Sequence, residues 1–171
     1  ELSRVVRDDR DAFNALGLQG AVMQMVAHGV SSAALFTIAG ALQHRLHSRD
    51  MRQMGGLWTP APRLGAAAMF FALAALGLPG LGNFVGEILV FLGLFAVAPY
   101  TAAVAALGMV TAAAYALWLI QRSFHGPLPS GVSIVDCDRR ELLTLGIMMA
   151  ALLWLGVLPQ TVLDLAEPGV Q

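Results

Sequence analysis

The stretch LGLPGLGNFVGE, residues 76–87, places a proline, four glycines and a carboxylate inside one of the most apolar parts of the chain. Pro79 removes a backbone donor and clashes with the preceding turn, and the glycines, which include Gly80 and Gly82, make unwinding cheap. The stretch therefore predicts a helix that breaks near residues 78–83. Asn83 is then expected to be the N-cap of the second half-helix.

The composition is that of a membrane protein. Of the 171 residues, 57% are hydrophobic and 12% are charged, with a mean hydropathy of +0.70, whereas soluble domains are about 45–50% apolar and about 25% charged. Ten arginines, no lysine and a net charge of −1 argue against a nucleic-acid partner, because the arginines lie in short connecting segments and not on one basic face. The lone Cys137 has no internal disulfide partner, and nothing suggests a metal site.

Tracts almost free of charge predict an all-α membrane protein with about four transmembrane helices. The second tract would be about 52 Å long as one continuous helix, well beyond the hydrocarbon core, so an interruption is required. The transmembrane domain is predicted over 19–166, between a polar arm 1–18 and a tail 167–171. Within that domain the helices are expected at about 20–45, 64–98 with the break at 78–83, 100–122 and 142–158.

The arginines predict the orientation of these helices. If the second tract crosses the membrane once, the arginines of the inter-helix segments all fall on one face, which the positive-inside rule assigns to the cytoplasm of a bacterial inner membrane. A hairpin would remove this bias, so a single broken span is preferred. The segment from Arg45 to Arg52 is interpreted as a solvated loop, with docking of a partner subunit as the lesser alternative.

Glu87 is the charged residue inside the second tract. The dipole of the second half-helix favours the carboxylate, whereas burial favours the neutral acid. Opposed effects of this kind suit a proton carrier, and an intramembrane carboxylate is by default a functional hypothesis. The alternative is a packing carboxylate that is hydrogen-bonded to a neighbour.

His28 lies in the middle of the first helix, where helical spacing places Gln24, Ser31 and Ser32 beside it. This polar stripe should face protein or water and not lipid. A histidine exchanges protons near neutral pH, so a relay role and a neutral histidine bonded to a carbonyl are equally acceptable. Tyr115, Trp118 and Arg122 are read as an interfacial anchor.

A resemblance adds to this interpretation. The runs GAVMQMVAHGVSSAALF, HRLHSRDMRQMGGLW, GLPGLGNFVGE and GVLPQTVLD closely resemble the C-terminal part of the antiporter-like, proton-translocating membrane subunits of respiratory NADH:quinone oxidoreductase, the type called M in bacteria and 4 in mitochondria. The similarity covers residues 17–166. It implies a subunit of fourteen helices, of which these are the last four, so the chain is expected to be part of a longer protein.

The resemblance also implies roles and partners. Glu87 matches the ionisable residue at the break of the second repeat, and His28 matches the histidine of the central hydrophilic axis, so the pair is expected to form part of a proton half-channel. Other membrane subunits, the bilayer and protons are the expected partners, with no flavin, iron–sulfur centre or quinone on this chain. A multisubunit sodium/proton antiporter, a membrane-bound hydrogenase and a purely structural membrane segment remain as alternatives. The polar arm departs from the family, which has a membrane helix there.

Overall fold

The computed structural model describes residues 2–166 of the chain, with side chains described from residue 13 onward. All regular secondary structure in this range is helical, which confirms the predicted all-α class. Three of the described helices are long and apolar enough to cross a membrane, over Phe13–Leu46, Pro99–Phe124 and Arg139–Val157. Two shorter apolar helices lie between the first two of these, and the predicted tail 167–171 lies outside the described residues.

The first helix, α1, runs over Leu2–Leu46 and is much longer than the predicted 20–45. Helical backbone begins at Leu2 and so extends over residues 2–18 of the predicted polar arm. No proline or glycine precedes Gly17, so nothing in the arm breaks a helix, even though its composition is polar. At 1.5 Å per residue α1 is about 67 Å long, about twice the thickness of the hydrocarbon core.

The second predicted helix is two helices, α2 over Pro62–Ala75 and α3 over Gly82–Val97, which confirms a discontinuity near Pro79. The end of α2 is a Schellman motif. Gly77 takes φ +68° and donates its N–H to Ala74 O at 3.1 Å, and Leu78 donates to Leu73 O at 3.1 Å. The helix therefore ends at Ala75, before the proline is reached.

A β-turn joins the two half-helices. Leu81 donates its N–H to Leu78 O at 3.1 Å, with Pro79 and Gly80 as the central residues and φ +94° at the glycine. Proline followed by a glycine of positive φ is the signature of a type II turn. The break thus spans residues 76–81 and not 78–83.

The two half-helices lie end to end along α1 and run antiparallel to it. Along α3, Asn83 is bonded to Ser31 of α1, whereas Gly93 lies against Gly17, fourteen residues earlier in α1. The other half, α2, lies beside the C-terminal part of α1, where Leu42 of α1 and Ala68 and Ala72 of α2 line the same cavity. The two half-helices thus follow one another along α1 in the same direction, the geometry that a single broken span requires.

The remaining helices are α4 over Pro99–Phe124, α5 over Arg139–Val157 and the short α6 over Gln160–Ala166. Most of α4 is apolar and exposed within this chain. The other long helix, α5, begins with a capping box between Asp138 and Glu141 and ends two residues before Pro159.

Arg45 joins three elements at one end of the bundle. Its guanidinium donates to both carboxylate oxygens of Glu141, at 2.6 and 2.9 Å, and to Val135 O at 2.7 Å. The side chain is only 13% exposed. The interpretation of Arg45 as a solvated loop residue was therefore wrong. The sequence did not indicate this ion pair because Glu141 lies 96 positions away.

Asp136 caps α2 from the α4–α5 connection. Its carboxylate accepts hydrogen bonds from the N–H groups of Arg63 at 3.1 Å, Leu64 at 3.0 Å and Cys137 at 2.8 Å. Partial burial acts to raise the pKa of Asp136, but the three donors outweigh it and hold the pKa below its ordinary value. The start of α2 thus depends on an ionised carboxylate from a distant loop.

Candidate functional site

Small residues bring α1 and α3 into backbone contact. A Cβ added at Gly86 would lie 2.7 Å from Gln24 N and 2.8 Å from Gln24 Cα, and one at Gly20 would lie 2.7 Å from Val90 N. Small residues at such positions let membrane helices approach closely. Gly82 and Gly86 therefore belong to α3 and serve packing, whereas the sequence interpretation gave them a role in unwinding.

Glu87 lies in the second turn of α3 and bridges α1 and the helix break. Gln24 Nε2 donates to Glu87 Oε1 at 3.4 Å, a long hydrogen bond from the facing turn of α1. The carboxylate also lies directly against Gly77, where it occupies the place that a Cβ would take. Helical side chains lean toward the N-terminus, so the carboxyl group of Glu87 reaches back to the end of α2.

Asn83 is not the N-cap of α3, which corrects the sequence prediction. The capping position is Leu81, and no side chain caps this helix. Asn83 lies inside the first turn, fully buried, and its Nδ2 donates to Ser31 Oγ at 3.2 Å. Ser31 in turn donates to the backbone oxygen of His28 at 3.1 Å. The amide therefore joins α3 to α1 because the two helices approach closely.

His28 lies one turn from Gln24 on α1, on a face that is exposed in this chain. Its Nε2 lies 3.0 Å from Ser32 Oγ. No hydrogen bond joins His28 to Glu87 among the described residues, and Gln24 is the residue of α1 that contacts the carboxylate. The polar stripe of α1 thus divides into Gln24 and Ser31, which face α3, and His28, which is exposed, with the partly buried Ser32 beside it.

Two buried oxygen atoms of this cluster, Gln24 Oε1 and Asn83 Oδ1, have no hydrogen-bond partner among the described residues. Unpaired buried acceptors are costly, and ordered water commonly satisfies them. Both belong to side chains that face the α1–α3 contact beside Glu87. The site is therefore chemically suited to water at the helix break.

The other predicted residues form the break itself. Pro79 and Gly80 are exposed and make the turn, and the Gly80 carbonyl lies directly against Gly156 of α5. The sequence interpretation gave Gly77 no contact with the carboxylate. A glycine directly after a long apolar run is a usual helix C-cap, and that signal was available. Among the described residues, no group of three His, Cys, Asp or Glu could hold a metal ion.

This architecture defines a class: α-helical proteins that cross a membrane several times and carry a polar cluster at a broken helix. A family model described as "NADH:quinone oxidoreductase/Mrp antiporter, TM" matches residues 12–115. The chain belongs to this family of membrane proteins.

Similar proteins agree with the family. The chain is 51% identical over 156 residues to "NADH-quinone oxidoreductase subunit M" of Pseudomonas aeruginosa, covering 91% of this chain and 30% of that protein. It is 41% identical to the Escherichia coli K12 protein of the same name, covering 91% and 31%. A chain of "Respiratory complex I from Thermus thermophilus with bound NADH" matches with a TM-score of 0.81 and 33% identity, covering 94% and 36%. The chain thus spans about a third of the length of these relatives.

Proposed function

We propose that this chain forms part of a proton-translocating membrane subunit of NADH:quinone oxidoreductase, in which Glu87 takes up and releases protons at the break between α2 and α3. The observation that carries the proposal is the polar cluster at that break. Glu87 contacts Gln24 at 3.4 Å, and two buried side-chain oxygens beside it have no hydrogen-bond partner among the described residues. A carboxyl group beside unpaired acceptors in an apolar helix bundle has the chemistry of a proton-transfer site.

His28 is the second titratable group of the proposed route. It stands one turn from Gln24 on α1, and its Nε2 lies 3.0 Å from Ser32 Oγ. A proton that moves between His28 and Glu87 needs an intermediate carrier, since no hydrogen bond joins the two among the described side chains. Water at the unpaired oxygens of Gln24 and Asn83 is that carrier in the proposed route.

The location, partner subunits and orientation of the chain follow from the same proposal. The chain lies in a bacterial inner membrane among the other membrane subunits of the respiratory complex, and carries no flavin, iron–sulfur centre or quinone itself. The end that holds Arg45, Arg52 and Arg122 faces the cytoplasm under the positive-inside rule. A sodium/proton antiporter is the second candidate, because the family description includes both classes. The curated relatives named NADH-quinone oxidoreductase subunit M favour the respiratory complex.

The test uses Glu87→Gln in a respiratory complex assembled with the subunit that carries this sequence, reconstituted into liposomes. Glutamine keeps the shape and the contact with Gln24 but holds no exchangeable carboxyl proton. We expect fewer protons translocated per NADH oxidised, with Glu87→Asp retaining part of the translocation. Gln160→Glu, on an exposed position of α6, is the control that changes a charge outside the site. An unchanged ratio of translocated protons to electrons in Glu87→Gln would show that Glu87 does not carry protons.

A further inference from the structure

An open cavity of about 620 Å³ lies at the end of the bundle where α4 finishes, away from Glu87. Its walls come from the C-terminal turns of α4, the connection that follows them and the segment before α2. Its polar and aromatic side chains include Arg52, Trp118, Gln121, Arg122, His125 and Ser130. Among residues 13–166 no aspartate or glutamate lines it, so that part of the lining carries two fixed positive charges and no negative one.

The walls are held by backbone contacts. Gly56 donates its N–H to His125 O at 2.9 Å, and Trp58 donates to Phe124 O at 3.0 Å. A Cβ at Gly56 would lie 2.6 Å from Leu128 N, so the two connections pack at backbone distance. The rings of Trp58 and His125 lie 5.7 Å apart between centroids. The cavity is thus a built feature of the two connections.

The arginines of the cavity are available to an anion. Arg122 forms no ion pair with any side chain of residues 13–166; the pairs in that range are Arg45–Glu141 and Arg52–Asp50. The second pair is long, with 3.8 Å between Arg52 Nε and Asp50 Oδ1, and its side chains are 88% and 47% exposed. Exposed pairs of this kind contribute little, so Arg52 remains free to bind a stronger anion.

The position of the cavity relative to α4 indicates the class of anion. Arg122 lies 22 positions after Tyr100 in α4, a rise of about 33 Å, which is close to the thickness of the hydrocarbon core. The helix between them is apolar and largely exposed, with Val104, Leu107 and Val110 each more than two-thirds exposed. Arg122 therefore stands at the level of the phospholipid phosphates, and acyl chains can lie along α4 below it.

We infer that this cavity binds the phosphate of an anionic phospholipid through Arg52 and Arg122. The guanidinium groups form charge-assisted hydrogen bonds to phosphate oxygens. Trp118, which is 54% exposed on the face of α4 below Arg122, contacts the glycerol and upper acyl region at the interface. The inference concerns a site separate from Glu87 and does not depend on the proposed proton route.

The experiment is lipid binding to the full chain, purified in a neutral detergent and measured by native mass spectrometry with equal amounts of phosphatidylglycerol and phosphatidylcholine. We expect phosphatidylglycerol to be retained preferentially, and Arg122→Gln combined with Arg52→Gln to lower its retention by about tenfold. Arg140→Gln is the matched control, because Arg140 is exposed at the same end of the bundle but does not line the cavity. Arg122→Lys should keep most of the binding.

Competition separates the lipid from a free anion. Inorganic phosphate at 10 mM should leave the bound phosphatidylglycerol in place if the acyl chains contribute to binding. Displacement by phosphate, equal retention of the two lipids, or equal losses in the double variant and in Arg140→Gln would each overturn the inference. Far-UV circular dichroism of every variant establishes that the helices are retained, so a loss of binding is attributed to the arginines.

Discussion

Replacement of Gly86 by alanine should push α1 and α3 apart. The added Cβ would lie 2.7 Å from Gln24 N and from Gln24 Oε1, and 2.8 Å from Gln24 Cα. The side-chain oxygen can move, but the backbone atoms cannot move without displacing α1. Since ordinary carbon contacts begin near 3.5 Å, the helices must separate by roughly 1 Å.

The size of the effect is the balance of two terms. Overpacking of a well-packed contact costs about 1–3 kcal/mol, whereas alanine in place of glycine inside a helix contributes about 1 kcal/mol of helix propensity. Gly146→Ala in α5 has only the second term, since no atom lies within 4 Å of the added Cβ. The free energies of unfolding of the two variants should therefore differ by about 1–3 kcal/mol, with Gly86→Ala the less stable.

The assay is unfolding by sodium dodecyl sulfate in mixed micelles, followed by far-UV circular dichroism. Both variants add one methyl group to a transmembrane helix, so differences in partition and in intrinsic propensity largely cancel. Equal unfolding midpoints for Gly86→Ala and Gly146→Ala would refute the close approach of α1 and α3. A higher midpoint for Gly86→Ala would do so more strongly.

Three further predictions follow from the contacts. Asp136→Asn should remove a pH dependence of the unfolding midpoint. Because the pKa of Asp136 is lowered in the folded chain, the stabilisation by its carboxylate is complete above about pH 5 and is lost as pH falls below about 4 toward the native pKa. Unfolding midpoints of both proteins from pH 6 to pH 3 measure this dependence. Arg45→Met should destabilise the chain by about 2 kcal/mol, with Arg45→Met/Glu141→Leu recovering part of the loss in the same assay; no recovery would contradict the pairing. Gly77→Ala should displace the Glu87 carboxyl group, so its infrared band, assigned by its absence in Glu87→Gln, should shift.

The break in the second span was predictable because its causes are local. Proline and glycine restrict or free the backbone of their own residues, so Pro79 and Gly80 indicate a turn wherever the chain folds. The predicted start of the break was too late because it was placed next to Pro79, whereas the turn at Gly77 ends α2 before Pro79 is reached. The length of α1 was missed for a related reason, because polar composition does not by itself end a helix.

Contacts between distant residues could not be predicted in the same way. Asn83 has the side chain of a good N-cap, and only the approach of α1 to 3.2 Å at Ser31 draws its amide away from the helix terminus. Arg45 and Glu141 are 96 positions apart, and each alone reads as a charged residue at a helix end. The type of a polar side chain determines which partners it can hydrogen-bond, whereas the packing of the helices determines which of them it meets.

The same selection explains how the glycine at the end of α2 and the carboxylate of α3 become one feature. The carboxylate of Glu87 lies where a Cβ of residue 77 would stand, so its position requires both the absence of that Cβ and the left-handed backbone of the Schellman motif. Gln24 holds the other side of the carboxyl group from α1. Because Glu87 itself contacts both elements, a movement of the α2 terminus relative to α1 would change the surroundings of its carboxyl group without any intervening residue.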